Sequence, residues 1–140
     1  MVIKVKKLYP DAVLPSFAHP GDAGMDLYAQ STVTIKAGGI EKIGTGISVE
    51  LPEGFVGLVW DKSGLSSNYG LKTLGGVMDA GYRGEYIISL INLGKEDYVL
   101  EKGHKVAQLL VQEIEHPEIM EVEALVDSSR GVGAFGSTGK

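Results

Sequence analysis

Gly75-Gly76-Val77-Met78-Asp79-Ala80-Gly81-Tyr82-Arg83-Gly84-Glu85 is the stretch on which the reading of this chain turns. A short apolar pair runs into an aspartate, two small residues follow, and an aromatic, an arginine and a glycine lead into the apolar run Tyr86 to Leu93. The pattern predicts a hairpin turning at Ala80-Gly81, with Asp79 and Tyr82 on its two sides. An aspartate at such a tip commonly does no more than make the turn. Between Tyr82 and small glycines it could instead activate a water while the ring shapes a narrow pocket.

Outward from this stretch the sequence reads as strand and turn. Ile3 and Val5 alternate with lysines, Val33 and Ile35 with Thr32, Thr34 and Lys36, and Ile47, Val49 and Leu51 with Ser48 and Glu50, each the period of a half-buried strand. Phe55 to Trp60, Tyr86 to Leu93 and Val106 to Val111 are continuous apolar runs of strand length, the pattern of strands covered on both faces. Val122 to Val126 reads as a last short strand. One short helix is expected after Ser63, with Ser63 as N-cap, Gly64 to Asn68 as its body and Gly70 as its end. The chain has 20 glycines in 140 residues, about twice the usual ~7% share, placed between the apolar runs as turn formers. Many short strands at this spacing predict an all-β sandwich, jelly roll or barrel, and exclude alternating strands and helices.

Composition narrows the function. Hydrophobic residues make up 44% and charged residues 22%, so the chain can bury a core as one domain. The net charge of −5 offers no field for a nucleic-acid backbone, and we expect no nucleic-acid partner. With no cysteine there are no disulfides, thiolate metal sites or cysteine nucleophiles. No apolar stretch is long enough for a membrane span, and the expectation is a soluble, unprocessed, cytoplasmic protein, or one of the host cytoplasm or nucleus if viral. His19, His104 and His116 lack metal-ligand spacing and read as surface residues.

Residues 128–140 are rich in glycine and serine and are expected to form a flexible tail beyond a 1–127 domain. Gly131-Val132-Gly133-Ala134-Phe135-Gly136 matches the dinucleotide glycine fingerprint literally, but no helix can follow it before the chain ends. It also nearly spells a P-loop, with Ser137 where the lysine is required. What survives is physical: glycine-rich N–H groups, Ser137, Thr138 and the Arg130 guanidinium can wrap an oligophosphate. Three other segments carry candidate chemistry. Asp26, in Pro20 to Ala29, either makes a turn or sits beside metal-bound waters. Asp61 to Gly70 holds Lys62, the Ser63 hydroxyl and Gly64 at a helix start, either a capped helix or a phosphate cradle. Gln108 lies in the apolar run Val106 to Val111, where an unpaired amide would be costly, so it needs a partner.

In this order and spacing, Ala23 to Leu27, Lys62-Ser63-Gly64, Gly76 to Gly84, Ala107-Gln108-Leu109 and Arg130 to Gly139 resemble the five motifs of the homotrimeric dUTPase family, covering nearly the whole chain. That resemblance implies a jelly-roll-like β barrel, a homotrimer with sites at its interfaces, and Mg²⁺-assisted hydrolysis of dUTP to dUMP and pyrophosphate. It would limit uracil in DNA and supply dUMP. It implies that Asp79 is the general base and that Asp26 meets the metal through water, with no direct protein ligand. Ser63, Gly64 and Lys62 would hold phosphates, Gln108 would orient phosphate or water, and Gly76 and Tyr82 would receive uracil and deoxyribose. Phe135 and Gly136 would close over the base, with Arg130, Ser137 and Thr138 on the outer phosphates. Lys62 stands where many members have arginine, a point charge for a fork. His104-Lys105 replaces a more usual acidic-arginine pair. Ala80-Gly81 is closer to the related dCTP deaminases, but these need a glutamate ten residues after the aspartate, and Ser89 occupies that position. A nucleotide-sensing relative without catalysis is the other alternative, and it would need neither Asp79 nor a complete tail.

Overall fold

The computed structural model describes residues 1–134. Ten strands and one short helix follow in order: β1 (Lys4–Lys7), β2 (Met25–Tyr28), β3 (Val33–Ile35), β4 (Ile40–Glu50), β5 (Phe55–Asp61), α1 (Ser63–Tyr69), β6 (Leu71–Leu74), β7 (Val77–Asp79), β8 (Glu85–Asn92), β9 (Tyr98–Leu100) and β10 (Lys105–Glu113). Two four-stranded sheets, in the orders β1-β4-β8-β6 and β2-β10-β5-β7, and a two-stranded β3-β9 ribbon are antiparallel throughout. The expected all-β architecture with one short helix is the one observed.

One core joins the three sheets. Ile43, Ile47, Val49, Ile88 and Leu90 from the first meet Leu27, Val59 and Leu109 from the second and Ile35 and Leu100 from the ribbon. Each fully buried aliphatic of this kind stabilises by roughly 1.5–3 kcal/mol. Asn92, fully buried, donates to Ile35 O at 3.0 Å and Glu96 O at 2.8 Å and accepts from Gly94 N, tying β8 to the turn before β9.

Four expectations are corrected. First, the stretch around Asp79 is not a hairpin of paired strands: β7 pairs with β5, placing Met78 opposite Gly57, whereas β8 pairs with β4 and β6. The Asp79–Tyr82 turn therefore carries the chain from one sheet to the other, closed by Tyr82 N–H donating to Asp79 O at 3.1 Å. Second, β8 is covered on one face only. Tyr86, Ile88, Leu90 and Asn92 point inward, and Ile87 on the outer face is 44% exposed. Third, the N-cap of α1 is Lys62 rather than Ser63, and no side chain caps the helix; strand β5 runs so close to the helix that Ser63 is already its first residue. Gly70 ends it at φ 72°, as expected, and a Cβ there would meet Gly94 N at 2.9 Å. Fourth, Val122 to Val126 forms no strand, with Val126 almost fully exposed.

Candidate active site

The candidate residues fall into two clusters. The first is assembled by β2, β10 and the β5–α1 junction. Gln108 is the cross-strand partner of Asp26 on one side and of Trp60 on the other, so the amide sits in the middle of the sheet between the carboxylate and the start of α1. Its Nε2 donates to Asp61 O at 2.8 Å, the partner that its place in an apolar strand required. Asp26 is not in a turn. It lies within β2 at 2% exposure, and Lys62 Nζ donates to its Oδ1 at 2.6 Å. Lys105 Nζ stands 2.7 Å from Oδ2, an ion pair whose approach is off the hydrogen-bond direction, leaving that oxygen charge-compensated but without a well-aligned donor. Burial pushes the Asp26 carboxyl up, but the two lysines more than offset it and hold the group below the ordinary aspartate value.

Packing around this cluster is tight. A Cβ on Gly24 would lie 2.6 Å from Gln108 Oε1, so glycine at that position is what lets the amide turn toward Asp61. Asp61 is itself held by the backbone N–H and hydroxyl of Thr73, at 2.7 and 2.6 Å, and by Lys72. Ser63 and Gly64 precede the helical ladder, whose first bonds run from the N–H groups of Leu65 and Ser66 to Lys62 O. Both are exposed, and a Cβ on Gly64 would meet nothing.

The second cluster lines an open depression of about 230 Å³ formed by Val77, Met78, Asp79, Tyr82, Glu85 and Ile87. Gly76, just before β7, does not line this depression; it packs on β5 at φ 103° with its carbonyl accepting from Val59 N–H at 2.8 Å, and a Cβ there would collide with Val59 O at 2.7 Å. Only glycine fits this approach. The Asp79 carboxylate is exposed and has no hydrogen bond or ion pair among the described residues. Tyr82 rests its hydroxyl on Glu85 O at 3.0 Å, and Arg83 closes the turn onto Ala80 O and Tyr82 O.

A single chain does not bring these clusters together. Asp79 pairs with Val56 near the start of β5, whereas Gln108 and Asp61 lie at its end. Five residues of strand separate the two, on the order of 17 Å. Arg130 is exposed with its Nε bonded to Gly133 O at 2.8 Å, so it touches neither cluster. Phe135, Gly136, Ser137 and Thr138 lie outside the described residues. All three histidines are exposed, as expected.

Lys105 is the site residue that sequence reasoning missed. In a regular strand Lys105 and Gln108, three apart, would face opposite sides, but the register of β10 against β2 shifts between Lys105 and Ala107, and the bulge turns both toward Asp26. Only the position of that bulge would have revealed it. Among the described residues no helix is long and apolar enough to cross a membrane.

The chain is thus a β protein with a buried carboxylate clamped by two lysines beside a helix start, and a separate depression holding an exposed carboxylate without a partner among the described residues. The dUTPase family model matches residues 11–139, and the chain belongs to that family. It is 50% identical over 139 residues to the deoxyuridine 5'-triphosphate nucleotidohydrolase of Clostridioides difficile, covering 98% of this chain and 97% of that one. Against the Rhodococcus erythropolis protein of the same description the identity is 47%, over 98% of this chain and 85% of the other. Among solved structures, a variant of the Staphylococcus bacteriophage 80alpha dUTPase with dUpNHpp superimposes at a TM-score of 0.90, with 32% identity and 99% of both chains covered.

Proposed function

We infer that the chain hydrolyses dUTP to dUMP and pyrophosphate. The observation that carries this reading is the exposed Asp79, without a hydrogen bond or ion pair among the described residues, in a depression it shares with Tyr82. The relatives described as deoxyuridine 5'-triphosphate nucleotidohydrolases give it its substrate. Uracil would enter beside Gly76 and be met by backbone groups, which would leave no room for a 5-methyl. The Tyr82 ring would lie against C2′ of the sugar and disfavour a hydroxyl there.

Asp79 then accepts a proton from a water, whose oxygen attacks the α-phosphorus in line. The bond from that phosphorus to the bridging oxygen breaks and pyrophosphate leaves. Lys62, the Ser63 hydroxyl and the N–H groups of Ser63 and Gly64 would receive phosphate oxygens, with the open space over Gly64 leaving room for them. Gln108, held by Asp61 O, would orient a phosphate oxygen or the water.

Mg²⁺ fits the site as an ion carried by the triphosphate. The described residues contain no cluster of three or more metal-binding side chains, and Asp26, with both oxygens against lysines, suits contact through metal-bound water rather than direct ligation. Bound this way, the ion would neutralise charge on the phosphates. A related phage φ11 dUTPase structure is described with a structural Mg(II) ion.

The distance between the clusters supports a site shared between chains, in the proposed homotrimer with Asp79 of one chain facing Asp26, Ser63 and Gln108 of another. Residues 128–140 would close over a third chain's site, with Phe135 and Gly136 on the base and Arg130, Ser137 and Thr138 on the outer phosphates. The exposed Ile87, Trp60 and Val77 are apolar surface available to such an interface. The dCTP deaminase alternative is disfavoured by Ser89, which lies on β8 opposite Lys42 and cannot shuttle protons as a glutamate would.

Pyrophosphate release with Mg²⁺, offering dUTP, dCTP, dTTP and UTP separately, tests the reading. Turnover of dUTP alone is expected. Consumption of dCTP with ammonia release would move the chain to the deaminases, and tight dUTP binding without turnover would make it a sensor.

A further inference from the structure

The turn that carries Tyr82 is held from behind by residues that no catalytic role has claimed. Tyr82 is 42% exposed and is fixed at its tip by one bond, from its hydroxyl to Glu85 O. Beneath it lies Tyr86, fully buried, with the two rings stacked at a centroid separation of 6.2 Å and 26° between planes. Gly84 makes this possible, because a Cβ there would fall 2.3 Å from the Tyr82 hydroxyl oxygen. Strand β4 grips the same turn through its irregular stretch between Gly44 and Ser48. The Ser48 hydroxyl lies 2.5 Å from Arg83 O and 2.9 Å from Gly84 O, Gly46 N–H donates to Glu85 Oε1 at 2.8 Å, and Thr45 Oγ1 donates to Tyr86 O at 2.7 Å.

We propose that Tyr86 is a positioning residue for sugar discrimination: its ring, anchored in the core, is the floor that fixes the tilt of Tyr82, with Ser48 holding the backbone between them. The inference rests on the reading that Tyr82 lies against the deoxyribose. Steric exclusion of one oxygen requires a wall that does not yield. A ring held only by its hydroxyl could tilt inward and admit a 2′-hydroxyl, whereas one stacked on a core-anchored ring is blocked from tilting that way. The floor is a flat aromatic face and not simply core volume, so an aliphatic side chain of similar bulk would leave the fold intact and the wall loose.

The full-length protein with Mg²⁺ is assayed for kcat and KM on dUTP and on UTP in four forms: wild type, Tyr86→Phe, Tyr86→Met and Tyr82→Ala. Tyr86→Phe keeps the floor and is expected to retain the wild-type preference. Tyr86→Met fills the core without a flat face and should lower the ratio of kcat/KM for dUTP over UTP at least tenfold. That change should come from a lower KM for UTP and a higher KM for dUTP, with kcat on dUTP within about twofold of wild type, a split that general loss of structure would not give. If Tyr86→Met keeps the wild-type ratio while Tyr82→Ala loses it, the inference is overturned and the role of Tyr82 stands. Unchanged discrimination in Tyr82→Ala overturns the reading of Tyr82 and the inference with it. Should Tyr86→Met fail to fold, Ser48→Ala releases the same turn without entering the core; it should shift the ratio in the same direction, and an unaltered ratio there counts against the proposal.

Discussion

At the scale of single residues, the two carboxylates of the site differ in kind. Asp79 is exposed and unpaired, open to a water, whereas Asp26 is buried between two lysines and committed to them. Asp79→Asn should bind dUpNHpp with affinity near wild type and turn over dUTP roughly 10²–10⁴ times more slowly, the span a lost general base covers. Single-turnover kinetics beside equilibrium binding checks it. Asp26→Asn leaves Lys62 and Lys105 facing each other without a countercharge and should cost about 2–4 kcal/mol in urea unfolding. The pH dependence follows in sign. Asp26 has its carboxyl held below the ordinary 3.8, so the stability it contributes is fully present above that value and is lost as pH falls through the lowered one. Unfolding free energies measured from about pH 5 down to about 2 should fall more steeply in the wild type than in Asp26→Asn. Tyr86 bears a hydroxyl with no partner among the described residues, and burial pushes its pKa up to about 12. Tyr86→Phe should therefore be at least as stable as wild type, and by up to about 1 kcal/mol more so, since a buried unpaired hydroxyl is removed.

At the scale of elements, what the sequence made legible follows the local period, and what it hid follows the breaks in that period. β1, β3, β5, β8 and β10 were all visible as alternation or apolar runs, because inward positions such as Ile88 and Leu90 recur every second residue. The first half of β4 was not, since Gly38, Gly39, Gly44 and Gly46 read as turn formers there. Gly46 does take a positive φ of 69°, but within a strand whose register shifts, not at its end. The Asp79–Tyr82 turn was visible, but pairing partners are a long-range property, and nothing local shows that β7 joins β5 instead of β8. Of the site, Asp26, Gln108, Asp79, Gly76 and Tyr82 were recognised by their order along the chain, while Lys105 and Tyr86 emerged only with the bulge and the ring stack. The glycine that most constrains an element is Gly76: Gly76→Ala meets both a positive φ and Val59 O and should cost more than about 2 kcal/mol, with loss of dUTP turnover. The segment after β10 carries no helix or strand up to residue 134 and adds little core. Truncation after Ser129 should accordingly abolish most activity and shift the thermal midpoint by no more than a few degrees; a truncated chain that unfolds would refute that division of roles.

At the scale of the whole molecule, the two clusters lie at opposite ends of β5, and the proposed function brings those of different chains face to face. Apolar side chains such as Trp60 and Val77 remain on its surface, and sedimentation should give a species near three times the 14.9 kDa of the chain. Hydrolysis of dUTP at a site shared between chains is tested by subunit complementation. Asp79→Asn and Gln108→Leu chains are each assayed for pyrophosphate release from dUTP, then unfolded together in equal amounts, refolded and assayed again. Each variant alone should be nearly inactive, and the mixture should recover about a quarter of wild-type activity, because random assembly places an intact Asp79 opposite an intact Gln108 in about one site in four. A mixture no more active than its components, from variants that fold and assemble as the wild type does, would contradict the shared site.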